Sequence, residues 1–119
     1  MEQFLDDIFD IRDVIKCYED LENNDDKSEE ELIEFEKIEL FLEEVKGNGR
    51  DEQWDGYWFP ISFISENYFV DYCQDELEDC GYIPKDFPKW IVIDYEKTSK
   101  NMKQYYQEID ILGNIYYYK

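Results

Sequence analysis

Along residues 3–22 the apolar side chains recur at steps of three and four. Phe4, Ile8, Ile11, Ile15 and Tyr18 share one stripe, which is the period of an amphipathic helix. Asp6, Asp10, Asp13 and Asp20 gather on another side of that helix. Aspartate is a mediocre helix former, so propensity alone does not account for them. The run NNDDK at 23–27 reads as a turn. Ser28 and Glu31 then have the spacing of a capping box and open a second helix over 28–46. Its core stripe is Leu32, Phe35, Ile38, Leu42 and Val45, with Phe41 beside it, and Gly47 is a natural stop. Glu29, Glu36 and Glu43, seven apart, form a straight ridge, and Ile33 and Leu40 lie next to it. The second helix is therefore either buried on two sides or displays apolar residues among its carboxylates. The two helices read as an antiparallel hairpin.

The period then changes. KGNGRDEQ at 46–53 has the glycines, asparagine and charge of a linker. YWFPISFIS at 57–65 is aromatic and β-branched and predicts a strand, with Pro60 arguing for a sheet edge. Ser65 or Asn67 caps a third helix that runs to about 79, with Phe69, Tyr72, Cys73, Leu77 and Cys80 on its inner face. Its acids, including Asp71, Asp75 and Glu78, are opposed by no base within it. Residues 82–90 hold Pro84 and Pro88 and are not helical. Asp94 caps a fourth helix over 95–105. EIDILGNIYYYK closes the chain as a hairpin turning at Gly113-Asn114, with Ile109, Ile111 and two of the three tyrosines at 116–118 buried. The expected fold is α+β: an acidic helical hairpin over 1–46, then a small antiparallel sheet with two helices over 54–119. There is no internal repeat.

Composition narrows the function. The chain has 119 residues, of which 43% are apolar and 18% aromatic, too much to bury for a disordered acidic tail. It has no histidine, which removes the Ser-His and Cys-His nucleophile pairs and the commonest zinc ligand. Cys17, Cys73 and Cys80 lack metal-ligand spacing and suit a reducing cytoplasm. No stretch resembles a signal peptide, and no apolar run approaches membrane-spanning length. NNDDKSEEE lacks the central glycine of a calcium loop. No glycine-rich phosphate loop is present, and nothing singles out one carboxylate pair among the acids for catalysis. No catalytic residue, metal or cofactor is expected.

The charge is unevenly distributed. Residues 1–79 hold 27 acids against 6 bases, a net of −21, while residues 80–119 hold 5 acids against 6 lysines, a net of +1. The net charge of −20 matches that of roughly 34 Å of duplex DNA, at one charge per about 1.7 Å. Acids three or four residues apart on a helix stand roughly 5–6 Å from each other. Carboxylates at that density resemble the phosphates that a lysine- and arginine-lined groove accepts.

Three stretches of the C-terminal half, YFVDYCQDELEDCGYIP, then VIDYEKTSKNMKQYY, then DILGNIYYYK, resemble the C-terminal part of the ArdA family of antirestriction proteins. An acidic helix runs into a glycine and a proline-bearing turn. Ile93, Asp94 and Tyr95 stand at the family's Ile-Asp-Tyr/Trp helix entry, and the chain ends in a glycine-turn hairpin. The resemblance covers about residues 66–119. Lys100, Asn101 and Met102 depart from the family's Arg-Asp-Leu, and its tyrosine- and glycine-rich N-terminal β segment is replaced by the acidic hairpin. The resemblance implies an acidic DNA mimic that blocks type I restriction-modification enzymes and dimerises through its C-terminal region.

Charge and resemblance together give the functional expectation. The chain is read as a non-enzymatic, cytoplasmic DNA-mimic inhibitor of a host defence nuclease. It would use Asp6, Asp10, Asp13, Glu29, Glu36, Glu43, Asp71, Asp75 and Glu78 as phosphate surrogates against a basic groove. It would not itself bind nucleic acid or membrane. The alternatives are an acidic immunity protein or antitoxin that neutralises a basic toxin nuclease, an anti-CRISPR-type inhibitor, and a small carboxylate enzyme.

Overall fold

The computed structural model describes residues 1–83 and 86–119. The fold is α+β. A short 3-10 turn at Glu2–Phe4 leads into strand β1 (Ile8–Asp10), helix α1 (Ile11–Glu22) and helix α2 (Glu29–Val45). Next come strands β2 (Glu52–Trp54), β3 (Tyr57–Phe59) and β4 (Ser62–Ser65), then α3 (Phe69–Asp79), α4 (Tyr95–Lys103), β5 (Gln107–Ile111) and β6 (Asn114–Tyr118). The main sheet is antiparallel with order β1-β4-β6-β5, and β2-β3 form a separate two-stranded ribbon.

The alternation of side chains along β6 divides the molecule into layers. Tyr116 and Tyr118 point to one face of the sheet, where they join Phe9, Phe63, Ile109 and Ile111 with the inner sides of α1 and α2. Tyr117 points to the other face and packs with Ile64, Phe69 and Cys73 under α3. The helical hairpin therefore covers one face of the sheet and α3 with α4 the other. One apolar cluster joins residues of the 1–46 segment to residues beyond 54.

The helix expected over 3–22 starts only at Ile11. Asp10 decides the boundary, because an aspartate is worth more as an N-cap than inside a helix. Its side chain accepts from the Arg12 amide. Upstream, the Asp7 carbonyl accepts from Ser65 N and the Asp6 carbonyl from the Tyr116 hydroxyl, both at 2.8 Å. The segment thus becomes an edge strand beside β4, with Phe9 buried.

The strand expected over 57–65 is two strands. Pro60 cannot donate to a ladder, and the chain turns there from the ribbon into β4, an interior strand of the main sheet. The glycine-rich 46–53 segment is fastened to this corner. Gly47 N donates to Trp58 O at 2.9 Å, and a Cβ on Gly49 would stand 1.9 Å from the Pro60 nitrogen. That neighbour is backbone and cannot swing aside, so Gly49→Ala is expected to cost on the order of 1–3 kcal/mol. Urea unfolding of the variant checks this, and an unchanged midpoint would contradict it.

Helix α2 starts with the expected capping box: Glu31 N donates to Ser28 Oγ and Ser28 N to Glu31 Oε1, both at 3.2 Å. Helix α4 is capped by Asp94, which accepts from Lys97 N at 3.1 Å. Helix α3 has Tyr68 at its N-cap with no side-chain bond, so neither Ser65 nor Asn67 caps it. The last turn of the chain falls at Leu112-Gly113, both at positive φ, one residue before the expected Gly113-Asn114. Asp110 fixes it by accepting from Gly113 N at 2.8 Å. The described part of 82–90 contains no helix; Pro84 and Lys85 lie outside the described residues.

Candidate functional site

The nine candidate acids fall into three groups, each set by a different part of the fold. On α2, Ile38, Phe41, Leu42 and Val45 are buried and fix the inner side. At 3.6 residues per turn, Glu29, Glu36 and Glu43 fall opposite them. Ile33 and Leu40 stand beside this ridge, 54% and 71% exposed. Of the two alternatives for this helix, the display of apolar residues among carboxylates is the one found. Leu32, expected in the core stripe, is 49% exposed, because it lies on the flank of the helix away from Ile38 and Val45.

At the N-terminus, Asp6, Asp10 and Asp13 do not form a row on one helix. Only Asp13 is inside α1. The three instead line one open cavity of about 270 Å³ beside Gln3, Phe4 and Ser62. Asp10 is half-buried and already engaged. Its carboxylate accepts from Arg12 Nε at 3.0 and 3.1 Å and from Nη2 at 2.6 Å. These Arg12 bonds hold the Asp10 pKa below its ordinary value. A folded-state pKa below the unfolded one stabilises the protein above about pH 3.9, and that contribution is lost as pH falls through the lowered value. Asp10 is thus partly neutralised in place, whereas Asp6 and Asp13 are exposed.

On α3, Phe69 and Cys73 face the sheet, and Asp71, Asp75 and Glu78 lie on the more open side of the helix. Asp71, Asp75 and Glu78 are all exposed. Glu78 accepts from the Tyr95 hydroxyl at 3.4 Å. The acids of α2 and α3 thus lie on opposite outer faces, with the sheet between them. Among the described residues there are three ion pairs: the Met1 amino group with Glu34, Arg12 with Asp10, and Lys46 with Glu43 at 3.7 Å. The protein extends 62 × 28 × 21 Å.

Other chemistry is sparse. Cys73 is buried, and its thiol is pushed up to about 11, first by burial and then by the Glu76 carboxylate. It is therefore a protonated thiol at neutral pH rather than a thiolate nucleophile. Cys80, expected on the inner face of α3, is exposed beyond the helix end. Among the described residues no cluster of His, Cys, Asp and Glu has the arrangement of a metal site, and no helix is long and apolar enough to cross a membrane. The β2-β3 ribbon is absent from the sequence-based expectation. Its signal is Asp55-Gly56 between Trp54 and Tyr57, the residue pair preferred in a two-residue hairpin turn; both have positive φ. Compared with protein-family models, with curated proteins and with solved structures, the chain finds no match.

Proposed function

We propose that this protein is a non-enzymatic inhibitor that occupies the DNA-binding groove of a defence nuclease in place of DNA. The observation that carries this reading is the display of acid: of the nine candidate carboxylates, all but Asp10 are exposed, and three ion pairs among the described residues neutralise little of it. A duplex as long as the protein's 62 Å axis carries about 36 charges. The chain's −20 is roughly half of that. Acid on two opposite faces suits a groove that closes around its ligand. The ArdA resemblance of residues 66–119 makes a type I restriction-modification complex the first target to test. The near-neutral C-terminal segment supplies β5 and β6, two of the four strands of the main sheet on which the acidic helices pack.

The test is a titration of such a complex, loaded with labelled target duplex, with this protein. DNA should be displaced without a ternary complex. Glu36→Gln alone should change the inhibition little, since an exposed ion pair is worth about 0–1 kcal/mol. Neutralising Glu29, Glu36 and Glu43 together should weaken it by on the order of 1–3 kcal/mol. A complex that holds this protein and DNA together would overturn the reading.

A further inference from the structure

We propose that the cleft between α1, the C-terminal end of α2 and the β2-β3 ribbon binds one arginine side chain of the partner; that the partner is a basic protein rests on the function proposed above. The cleft holds about 60 Å³, close to the size of one side-chain head group. Its walls are Tyr18, Trp54 and Tyr57, and the carboxylate residues Glu39, Glu43 and Asp55 line it with them.

These walls are held in position. The Trp54 ring meets Tyr18 edge-on at 5.5 Å and lies 5.8 Å from Phe59, and Tyr18 stacks on Phe35 at 4.9 Å. Asp55 is fixed by the ribbon turn, where it and Gly56 have φ of 50° and 79°. Aromatic faces and carboxylates both attract cations. The Tyr18 phenol is pushed up by burial and then by Glu22, Glu39, Asp55 and Glu43, so the negative field converges on this ring. A cation of the chain itself already uses one wall: Lys46 Nζ lies 3.9 Å from the centre of the Tyr57 ring and 3.7 Å from Glu43.

Arginine fits better than lysine. Its flat guanidinium stacks on a ring while its N–H fork reaches carboxylates, and it is less strongly hydrated than an ammonium. Glu43 also ends the acidic ridge of α2. An arginine seated in the cleft would therefore fix the register of a basic surface along that ridge, which scattered exposed carboxylates cannot do.

The probe is the peptide acetyl-Gly-Arg-Gly-amide, titrated into the full chain and followed at the tryptophan indole N–H signals by nitrogen-15 NMR. The Trp54 signal should shift saturably while that of Trp90, 82% exposed and remote in sequence, stays in place. The same peptide with citrulline, neutral and nearly isosteric, should give no saturable shift. Asp55→Asn combined with Glu39→Gln should weaken binding at least tenfold; asparagine tolerates the positive φ at 55. Lys46→Ala, which removes the competing cation, should tighten it about threefold. Equal shifts with citrulline, or Trp90 moving with the same midpoint, would overturn the proposal in favour of diffuse attraction to an acidic surface. The comparison of the two peptides uses the unaltered chain, so it decides the matter even if the double variant fails to fold. Arginine binding without displacement of DNA from the nuclease would leave the cleft standing and remove the DNA-mimic reading. Displacement without arginine binding would do the reverse.

Discussion

Removing residues 107–119 is expected to abolish cooperative unfolding altogether. The deletion takes away β5 and β6, two of the four strands of the main sheet. With them go Ile109, Ile111, Tyr116, Tyr117 and Tyr118, each at most 5% exposed in the intact protein. Because β6 faces both layers, both apolar clusters lose members at once. Strand β4 loses its ladder with β6, and the Tyr116 hydroxyl no longer holds the Asp6 carbonyl. Each buried aliphatic or aromatic side chain contributes about 1.5–3 kcal/mol. Five of them together are comparable with the about 5–15 kcal/mol by which a domain of this size is typically stable, and the lost strand pairing adds to the deficit. Repulsion among the acids left behind, a net of −21 on residues 1–79, acts in the same direction. Thermal denaturation followed by circular dichroism reads the outcome. A truncated chain that melts in one sharp transition would show that the helical hairpin folds without the sheet.

The largest effect of a single substitution is expected at Phe63. The side chain is fully buried and joins the two segments of the chain. Its ring stacks on Phe9 at 4.8 Å, meets Phe41 of α2 at 5.2 Å and meets Tyr118 of β6 at 5.2 Å. Strand β1, the helical hairpin and the C-terminal hairpin thus converge on one residue. Phe63→Ala should cost about 3–5 kcal/mol, because the surrounding rings are held by their own contacts and collapse only partly into the space. Denaturant titration checks the value. A loss under about 1 kcal/mol, far below the usual cost of such a truncation, would mean that the hairpin packs loosely on the sheet.

Helix α2 and the C-terminal hairpin are legible in the sequence because local chemistry and tertiary packing agree there. Ser28 and Glu31 satisfy each other's backbone, and the alternation at 109–118 matches the two buried faces. Strand β1 is not legible. Phe4, Ile8 and Ile11 keep a helical period by coincidence, and what ends the helix at Asp10 is a capping preference together with pairing to β4, more than fifty residues away in sequence. Pro60 signals a break in a ladder, but nothing local signals that it is the corner between two sheets. The acids on the outer sides of α2 and α3 follow from the helical period alone. The arginine cleft does not, because Tyr18, Glu43 and Trp54 come from three elements and share no sequence pattern. The Asp55-Gly56 pair is its one local sign.

The central claim is that carboxylates here stand where phosphates would, and salt tests it most directly. Protein–DNA binding weakens steeply with salt, by about 10³–10⁵ in affinity between roughly 50 and 200 mM for six to ten phosphate contacts. The affinity of this protein for a type I restriction-modification complex, measured over that range, should fall on a log–log plot with a slope of the same sign and comparable steepness. The variant neutralised at Glu29, Glu36 and Glu43 should give a shallower slope. An affinity that does not change with salt would contradict the claim and leave the acidic faces as solvated surface.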